Sequence, residues 1–116
     1  HEVDHTKIDL SIPVEEVLVW DQLKTVFDPE IPVNIVDLGL IYDMDIEHMA
    51  TGGSFVNIKM TLTAPGCGMG PMIAQDAQNK VRTVPGVLVV NVDLVWEPQW
   101  DRDMMSDEAR LQMGML

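Results

Sequence analysis

The feature that most constrains the fold is a segment in which apolar and polar residues alternate strictly. Its apolar members are Val56, Ile58, Met60 and Leu62, and its polar members are Asn57, Lys59, Thr61 and Thr63. Successive side chains of a β-strand point to opposite faces of the sheet. The pattern therefore predicts a strand with one buried face and one solvated face, in a sheet whose covering layer lies on one side only.

One further strand is predicted before this one in the chain, and another after it. A segment before it alternates in the same way, with Leu40, Tyr42, Met44 and Ile46 facing the core. The turn containing Gly52 and Gly53 joins these two strands as an antiparallel hairpin. The third strand covers residues 87–96, with Val90, Val92, Leu94 and Trp96 in phase.

Helical spacing predicts the remaining elements. The first helix starts at Ser11, ends before Pro29 and carries an apolar stripe of Val17, Trp20, Leu23 and Phe27. The second starts at Pro71 and buries Ile73, Ala74, Ala77, Val81 and Val84. A short third helix is capped by Ser106 and stopped by Gly114.

The order helix, strand, strand, helix, strand, short helix predicts an α+β fold. The strand–helix–strand crossover makes the last two strands parallel, so the small sheet is mixed. Both main helices are expected on the same face, giving a two-layer sandwich. We expect residues 1–10 to be an N-terminal arm and residues 11–116 to be one domain.

Composition excludes several classes of function. The 116 residues include 19 acidic and 7 basic side chains, a net charge of −12, which argues against nucleic acid or an anionic membrane as a partner. No apolar run approaches the roughly 18 residues that span a bilayer. Cys67 is the single cysteine, so no disulfide can form within the chain, and a cytoplasmic location is the natural expectation.

The glycine-rich loop around Cys67 is the main candidate site. Gly66 and Gly68 flank the cysteine just before the second helix, whose N-terminus favours a thiolate. That effect is about 0.3–1 kcal/mol, less than one pKa unit, and no histidine pairs with the thiol in sequence. A cysteine hydrolase is disfavoured, whereas a soft metal ligand, a transiently modified thiol and a small buried side chain all remain open.

The same loop allows a dinucleotide-binding interpretation. Gly66, Gly68 and Gly70 follow a strand and precede a helix, and Asp93 lies on the next strand. Two facts argue against dinucleotide binding: the spacing is G-x-G-x-G rather than G-x-G-x-x-G, and the preceding strand alternates instead of being apolar throughout. Pro71 stands where a Walker loop needs lysine, which excludes that motif. Nucleotide binding is therefore the weaker hypothesis.

A second candidate is a set of acidic residues, Asp28, Glu30 and Asp37, next to prolines and a glycine. Such residues commonly form turns by accepting hydrogen bonds from their own backbone. They form a polar patch near the glycine-rich loop only if the sheet brings residues 37–39 alongside Thr61 and Thr63.

The C-terminal segment is more apolar than one short helix requires. Its large apolar residues include Met104, Met105, Leu111, Met113 and Met115. We expect this segment to pack back on the domain or onto a second subunit, which allows a homodimer.

Four blocks of the sequence resemble the SufT and PaaD-like domain family, which is associated with iron–sulfur protein maturation. The blocks are DPEIPVNIVDLGLIY at 28–42, TLTAPGCGMGP at 61–71, VPGV at 84–87 and MMSDEARL at 104–111. The last block is more similar to SufT, and the cysteine-rich C-terminal extension of the PaaD type is missing from this sequence.

The resemblance implies an accessory factor rather than an enzyme, acting with the iron–sulfur assembly machinery and client apoproteins. It implies that Cys67 is the functional residue and that Asp37 and Thr63 are its motif neighbours. An iron–sulfur cluster usually needs four ligands, mostly thiolates, and this chain offers one. We therefore expect no permanently bound cofactor, but transient iron or a cluster shared with another molecule. A protein-interaction domain with a structural cysteine and a small cofactor-binding domain remain alternatives.

Overall fold

The structure, a computed structural model, describes residues 16–29, 31–63 and 70–114. Its elements are α1 (Glu16–Leu23), β1 (Ile41–His48), β2 (Ser54–Met60), α2 (Gly70–Val81), β3 (Val87–Leu94) and α3 (Asp107–Gln112), with a short 3-10 turn at Arg102–Met104. This order confirms the predicted one. The predicted helix start at Ser11 and the arm at residues 1–10 lie outside the described residues.

The three strands form the predicted mixed sheet, in the order β1-β2-β3. β1 and β2 are antiparallel and join where His48 pairs with Ser54. β3 is parallel to β2, with Val56 beside Val90 and Met60 beside Leu94. In the hairpin Gly53 has a φ of +81°, and a Cβ there would overlap the side chain of Leu88, so a larger residue at this position would be strained.

One hydrophobic core lies between the sheet and the two main helices. α1 contacts α2, and α2 packs on β3. The core includes Val19 and Leu23 of α1, Ile73, Ala77 and Val81 of α2, and Val56, Ile58, Met60 and Val90 of the sheet. Both helices therefore cover the same face, as the strand alternation predicts, and the opposite face is open to solvent.

The predicted apolar stripe of α1 is partly wrong. Val17 and Phe27 are 58% and 55% exposed, while Val19, Leu23 and Val26 are buried. The helix ends at Leu23, and Phe27 instead forms an isolated bridge with Asn34. A helical spacing predicts the direction of a side chain only while the helix continues, so Phe27 falls outside the stripe.

Two predictions at the strand ends are also wrong. Thr61, predicted to be solvated, is 1% exposed, and Trp96, predicted to face the core, is 45% exposed. β2 ends at Met60 and β3 ends at Leu94, so both residues lie just beyond the alternation that was used to orient them.

The described part of the C-terminal segment packs back on this domain. Met105 and Ala109 are buried, the Ser106 hydroxyl accepts the Ala109 N–H at 3.1 Å, and Gly114 has a φ of +74° beyond the end of α3. Leu111 remains 67% exposed. Met115 lies outside the described residues.

Candidate functional site

The two described ends of the glycine-rich loop are held close together. Thr63 is the last described residue before the loop, and Gly70 is the first residue after it. Gly70 is buried, and a Cβ there would overlap the side chain of Leu62. A residue larger than glycine there would require the Leu62 side chain to move. Cys67, Gly66, Gly68 and Glu30 themselves lie outside the described residues.

Asp28 forms a turn beside the start of α2. It is 5% exposed, and its Oδ1 accepts the Ile31 N–H at 3.1 Å, which is the turn-forming arrangement expected for acidic residues near prolines. Its neighbours Phe27 and Pro29 line an open groove of about 630 Å³ with Pro71, Met72, Ile73, Gln75, Asp76 and Asn79. The Asp28 turn thus lies next to the helix that the glycine-rich loop leads into.

Asp37 is fixed by a compact hydrogen-bond network. Asn34 donates from Nδ2 to Asp37 Oδ2 at 2.7 Å, and its Oδ1 accepts the N–H groups of Val36 and Asp37. The Asp37 carbonyl accepts the Ser106 N–H at 2.7 Å, which ties this turn to the C-terminal segment. Asp37 therefore has a structural role as the meeting point of two segments that are far apart in sequence.

The sheet brings the end of this turn alongside Thr61. The Thr61 N–H donates to the Leu40 carbonyl at 2.9 Å, one residue beyond the range 37–39, so the predicted polar patch with Thr61 and Thr63 stays a prediction. Asp37 and Thr63 form no hydrogen bond with each other in the described structure. Thr63 is half-buried at the start of the glycine-rich loop.

Thr61 also lines a small cavity that the sequence reasoning missed. The cavity has a volume of about 230 Å³ and is lined by Thr61, Leu62, Trp96, Glu97, Gln99 and Trp100. The Trp100 indole N–H donates to the Leu38 carbonyl at 2.6 Å, which holds that ring in place. The one available signal was the pair of tryptophans flanking Pro98, because large aromatic residues just beyond a strand need a packing partner.

The Thr61 Oγ1 atom is buried, and among the described residues it forms no hydrogen bond of standard geometry, although it is close enough to the Tyr42 phenol to interact with it. The Tyr42 phenol is a neighbour, but it donates to the Pro98 carbonyl at 2.6 Å. Burial raises the pKa of Tyr42, while the Thr61 hydroxyl acts on it in the opposite direction. Tyr42 and Thr61 thus form a polar pair beneath the residues that follow β3.

Across residues 16–29, 31–63 and 70–114 no group of three histidine, cysteine or acidic side chains is placed to hold a metal ion. Within the same ranges no helix is long and apolar enough to cross a membrane.

Comparison with known protein families identifies the family of this chain. Residues 16–94 match a family model described as iron-sulfur cluster assembly protein. The chain belongs to this family. The matched region runs from α1 to the end of β3 and includes the glycine-rich loop.

Individual relatives agree with this assignment. An Fe-S protein maturation auxiliary factor of Porphyromonas gingivalis is 51% identical over 94 residues, covering 81% of this chain and 86% of the relative. The Fe-S protein maturation auxiliary factor SufT of Staphylococcus aureus is 36% identical, covering 78% and 98%. An iron-sulfur cluster carrier protein of Synechocystis is 35% identical, covering 75% of this chain but 23% of the carrier.

A solved structure confirms the fold. The crystal structure of a domain of unknown function from Bacillus anthracis superposes with a TM-score of 0.75 at 35% identity, covering 87% of this chain and 92% of that one. This chain therefore shares its small mixed sheet with helices with that structure.

Proposed function

We propose that this protein is an auxiliary factor in the maturation of iron–sulfur proteins. The observation that carries the proposal is the 51% identity with a protein named for that role, over most of both chains. The factor acts by binding the assembly machinery and client apoproteins rather than by catalysing a reaction of its own.

Cys67 is the functional thiol in this proposal. It is the only cysteine of the chain, and its loop connects two segments that are held together where Gly70 packs on Leu62. Thiolate is the ligand that iron and iron–sulfur clusters prefer. A reducing cytoplasm would keep this thiol free, so we place the protein there.

The cluster is cargo rather than a resident cofactor. A cluster usually needs four ligands, mostly thiolates, and Cys67 is the single cysteine of this sequence. The remaining ligands would come from a client, a carrier, small thiols or a second copy of this chain. The name of the Synechocystis relative, a cluster carrier, supports transient binding of this kind.

In this proposal the other motif residues either stabilise the turns near the loop or form part of its interaction surface. Asp28 holds the turn that borders the start of α2, and Asp37 ties residues 34–37 to Ser106. Glu30, Gly66 and Gly68 lie outside the described residues, and we assign them to the same interaction surface together with Thr63 from their positions in the motif.

Deleting the protein from its host tests the function directly. Activities of several iron–sulfur enzymes should fall in iron-limited growth and recover when the intact chain is returned, while enzymes without clusters stay unchanged. Unchanged iron–sulfur enzyme activities in the deleted strain would refute the proposed function.

A second experiment tests the cargo. The protein is purified without oxygen, and its iron, sulfide and molecular mass are measured together, before and after incubation with ferrous iron and sulfide. We expect iron and sulfide to be gained only with an added thiol or together with a doubling of mass. A stable cluster on a monomer without added thiols would contradict shared ligation.

A further inference from the structure

A groove of about 360 Å³ runs between α2 and the outer edge of β3. Residues 90–93 of β3 line one wall, and Pro71, Ala74, Gln75 and Gln78 of α2 line the other. The helix residues recur every three or four positions and therefore share one face of α2. Side chains alternate along a strand, so four consecutive residues line one groove through the edge of the strand's backbone. The groove is therefore bounded by a helix face and by an edge strand.

The backbone at this edge has no neighbouring strand in the described sheet, where β3 comes last in the order β1-β2-β3. The Val95 N–H donates back to the Met60 carbonyl at 2.8 Å. Alternate residues of a strand direct their N–H and C=O groups to opposite edges, so the groups of Val90 and Val92 point outward. The Gln78 amide donates to the Val90 carbonyl at 2.8 Å, which agrees with this direction. The groove therefore exposes hydrogen-bonding groups that a further strand would satisfy.

The two edges of the sheet differ in how they are protected from pairing. β1, at the opposite edge, has a register irregularity near its start and carries three carboxylates. Bulges and charged side chains keep edge strands from pairing with other chains. β3 pairs regularly from Val89 to Leu94, and Asp93 is its single charged residue. β3 is therefore the edge that another strand can join.

The charge of the groove favours a basic segment. Asp93 is the only charged residue in its lining and is exposed. On a strand added beside β3, a lysine or arginine on the same face as Asp93 would form a cross-strand pair of opposite charge. The net charge of −12 also attracts basic segments and repels acidic ones.

The groove suits one extended segment better than a second copy of this chain. Pairing of β3 with the β3 of a second copy would place their α2 helices side by side. The α2 face beside the groove is polar, because the Gln75 amide donates to Gln78 and Asn79, whereas homodimer interfaces are more apolar than this. Four residues of extended chain span about 13 Å, close to the roughly 10 Å from Pro71 to Gln78 along the helix.

We propose that the edge of β3 binds an extended segment of a client apoprotein as an additional strand, with a lysine or arginine of the segment beside Asp93. The inference rests on the proposed function in taking the partner to be a client. Pro71 follows Gly70, where the glycine-rich loop joins α2, so a bound client would lie beside the end of that loop.

The first test asks whether the backbone of the segment is recognised. The full chain is titrated with a labelled eight-residue peptide that alternates valine with threonine and lysine, in 0.15 M salt. A control peptide of the same sequence is N-methylated at four consecutive central residues, which removes donors from both of its edges. We expect the control to bind with a Kd at least about tenfold higher. Equal Kd values, or no binding of either peptide at about 1 mM, would overturn the proposal.

The second test asks whether Asp93 contributes to the contact. Asp93→Lys should raise the Kd of the lysine peptide at least about fivefold and lower the Kd of the same peptide with glutamate in place of lysine. Asp21→Lys changes the net charge equally at an exposed position of α1 and should alter either Kd less than about twofold, because salt screens charges beyond about 8 Å. Circular dichroism verifies that each variant is folded. Equal effects of the two variants would mean that only net charge matters and would overturn the proposal.

Amide hydrogen exchange measured by NMR distinguishes the possible occupants of this edge. In the full chain alone the Val92 N–H should exchange much faster than the Asp93 N–H, which points toward β2, and the peptide should slow Val92 at least about tenfold. Slow exchange at both residues without peptide would mean that a second copy or another part of this chain already covers the edge, and would overturn the proposal. Light scattering separates those two cases. Cys67→Ser should bind the peptide with the wild-type Kd, so a failure of the proposed function in cells would leave this result intact.

Discussion

Two hydroxyl groups in this chain differ in the quality of their hydrogen bonding. The Ser106 hydroxyl accepts the Ala109 N–H at 3.1 Å and caps α3, whereas the buried Thr61 hydroxyl forms no hydrogen bond of standard geometry within the described ranges. A paired hydroxyl at a helix cap stabilises the fold, while a buried unpaired one contributes little or destabilises it. We therefore expect the Thr61 hydroxyl to contribute less to stability than the Ser106 hydroxyl.

Unfolding measurements on two variants test this contrast. Ser106→Ala should lower the free energy of unfolding by about 1 kcal/mol through loss of the cap. Thr61→Val should lower it by less than about 0.5 kcal/mol, because no hydrogen bond is lost. Urea denaturation followed by circular dichroism gives both values. A loss of more than about 1 kcal/mol for Thr61→Val would mean that the hydroxyl has a structural partner.

Two glycines with similar backbone angles differ in the space around them. Gly39 has a φ of +81°, and a Cβ there would overlap the Met104 carbonyl, whereas Gly114 has a φ of +74° and open space around it. An alanine at either position would be strained by about 1 kcal/mol because of the positive φ. Gly39→Ala adds a backbone clash between the Asp37 turn and the C-terminal segment, so we expect it to be clearly more destabilising than Gly114→Ala. Equal decreases in melting temperature for the two variants would show that the contact between Gly39 and Met104 is not tight.

At the scale of elements, the strands were more predictable than the helices. The alternation around Val56 and Ile58 fixed which face of β2 is buried, because each side chain's direction follows from its neighbour's. The stripe of α1 included Phe27 because spacing alone does not reveal that the helix ends at Leu23. Thr61 was misassigned for the same reason, at the end of a strand.

The C-terminal segment is an element that depends on tertiary contacts. Met105 is 6% exposed, whereas Leu111 of α3 is 67% exposed. Met105→Ala should lower the free energy of unfolding by at least about 2 kcal/mol, because it leaves a cavity in the core. Leu111→Ala should change it by less than about 0.5 kcal/mol. A large loss for Leu111→Ala, with a lower mass by light scattering, would instead place this helix in a dimer interface.

At the scale of the whole molecule, the candidate site was only partly predictable. The glycine-rich loop was recognisable because Cys67 and its glycines are contiguous in sequence. The Thr61 cavity was not, because Thr61 and Trp100 come from segments almost 40 positions apart and meet only when β3 pairs with β2. Sites assembled by long-range pairing leave no local pattern for sequence reasoning to find.

The central claim is that this fold presents one thiol for iron–sulfur protein maturation. Its most direct test is the activity of client iron–sulfur enzymes in iron-limited cells that lack the native protein and express either the intact chain, Cys67→Ser or the exposed control Thr51→Ala. Immunoblots match the protein levels. Serine is similar in size to cysteine but a poorer iron ligand. We expect Thr51→Ala to restore client activity fully and Cys67→Ser to leave it at the level of the deleted strain. Full activity with Cys67→Ser would contradict the account and make Cys67 a structural residue.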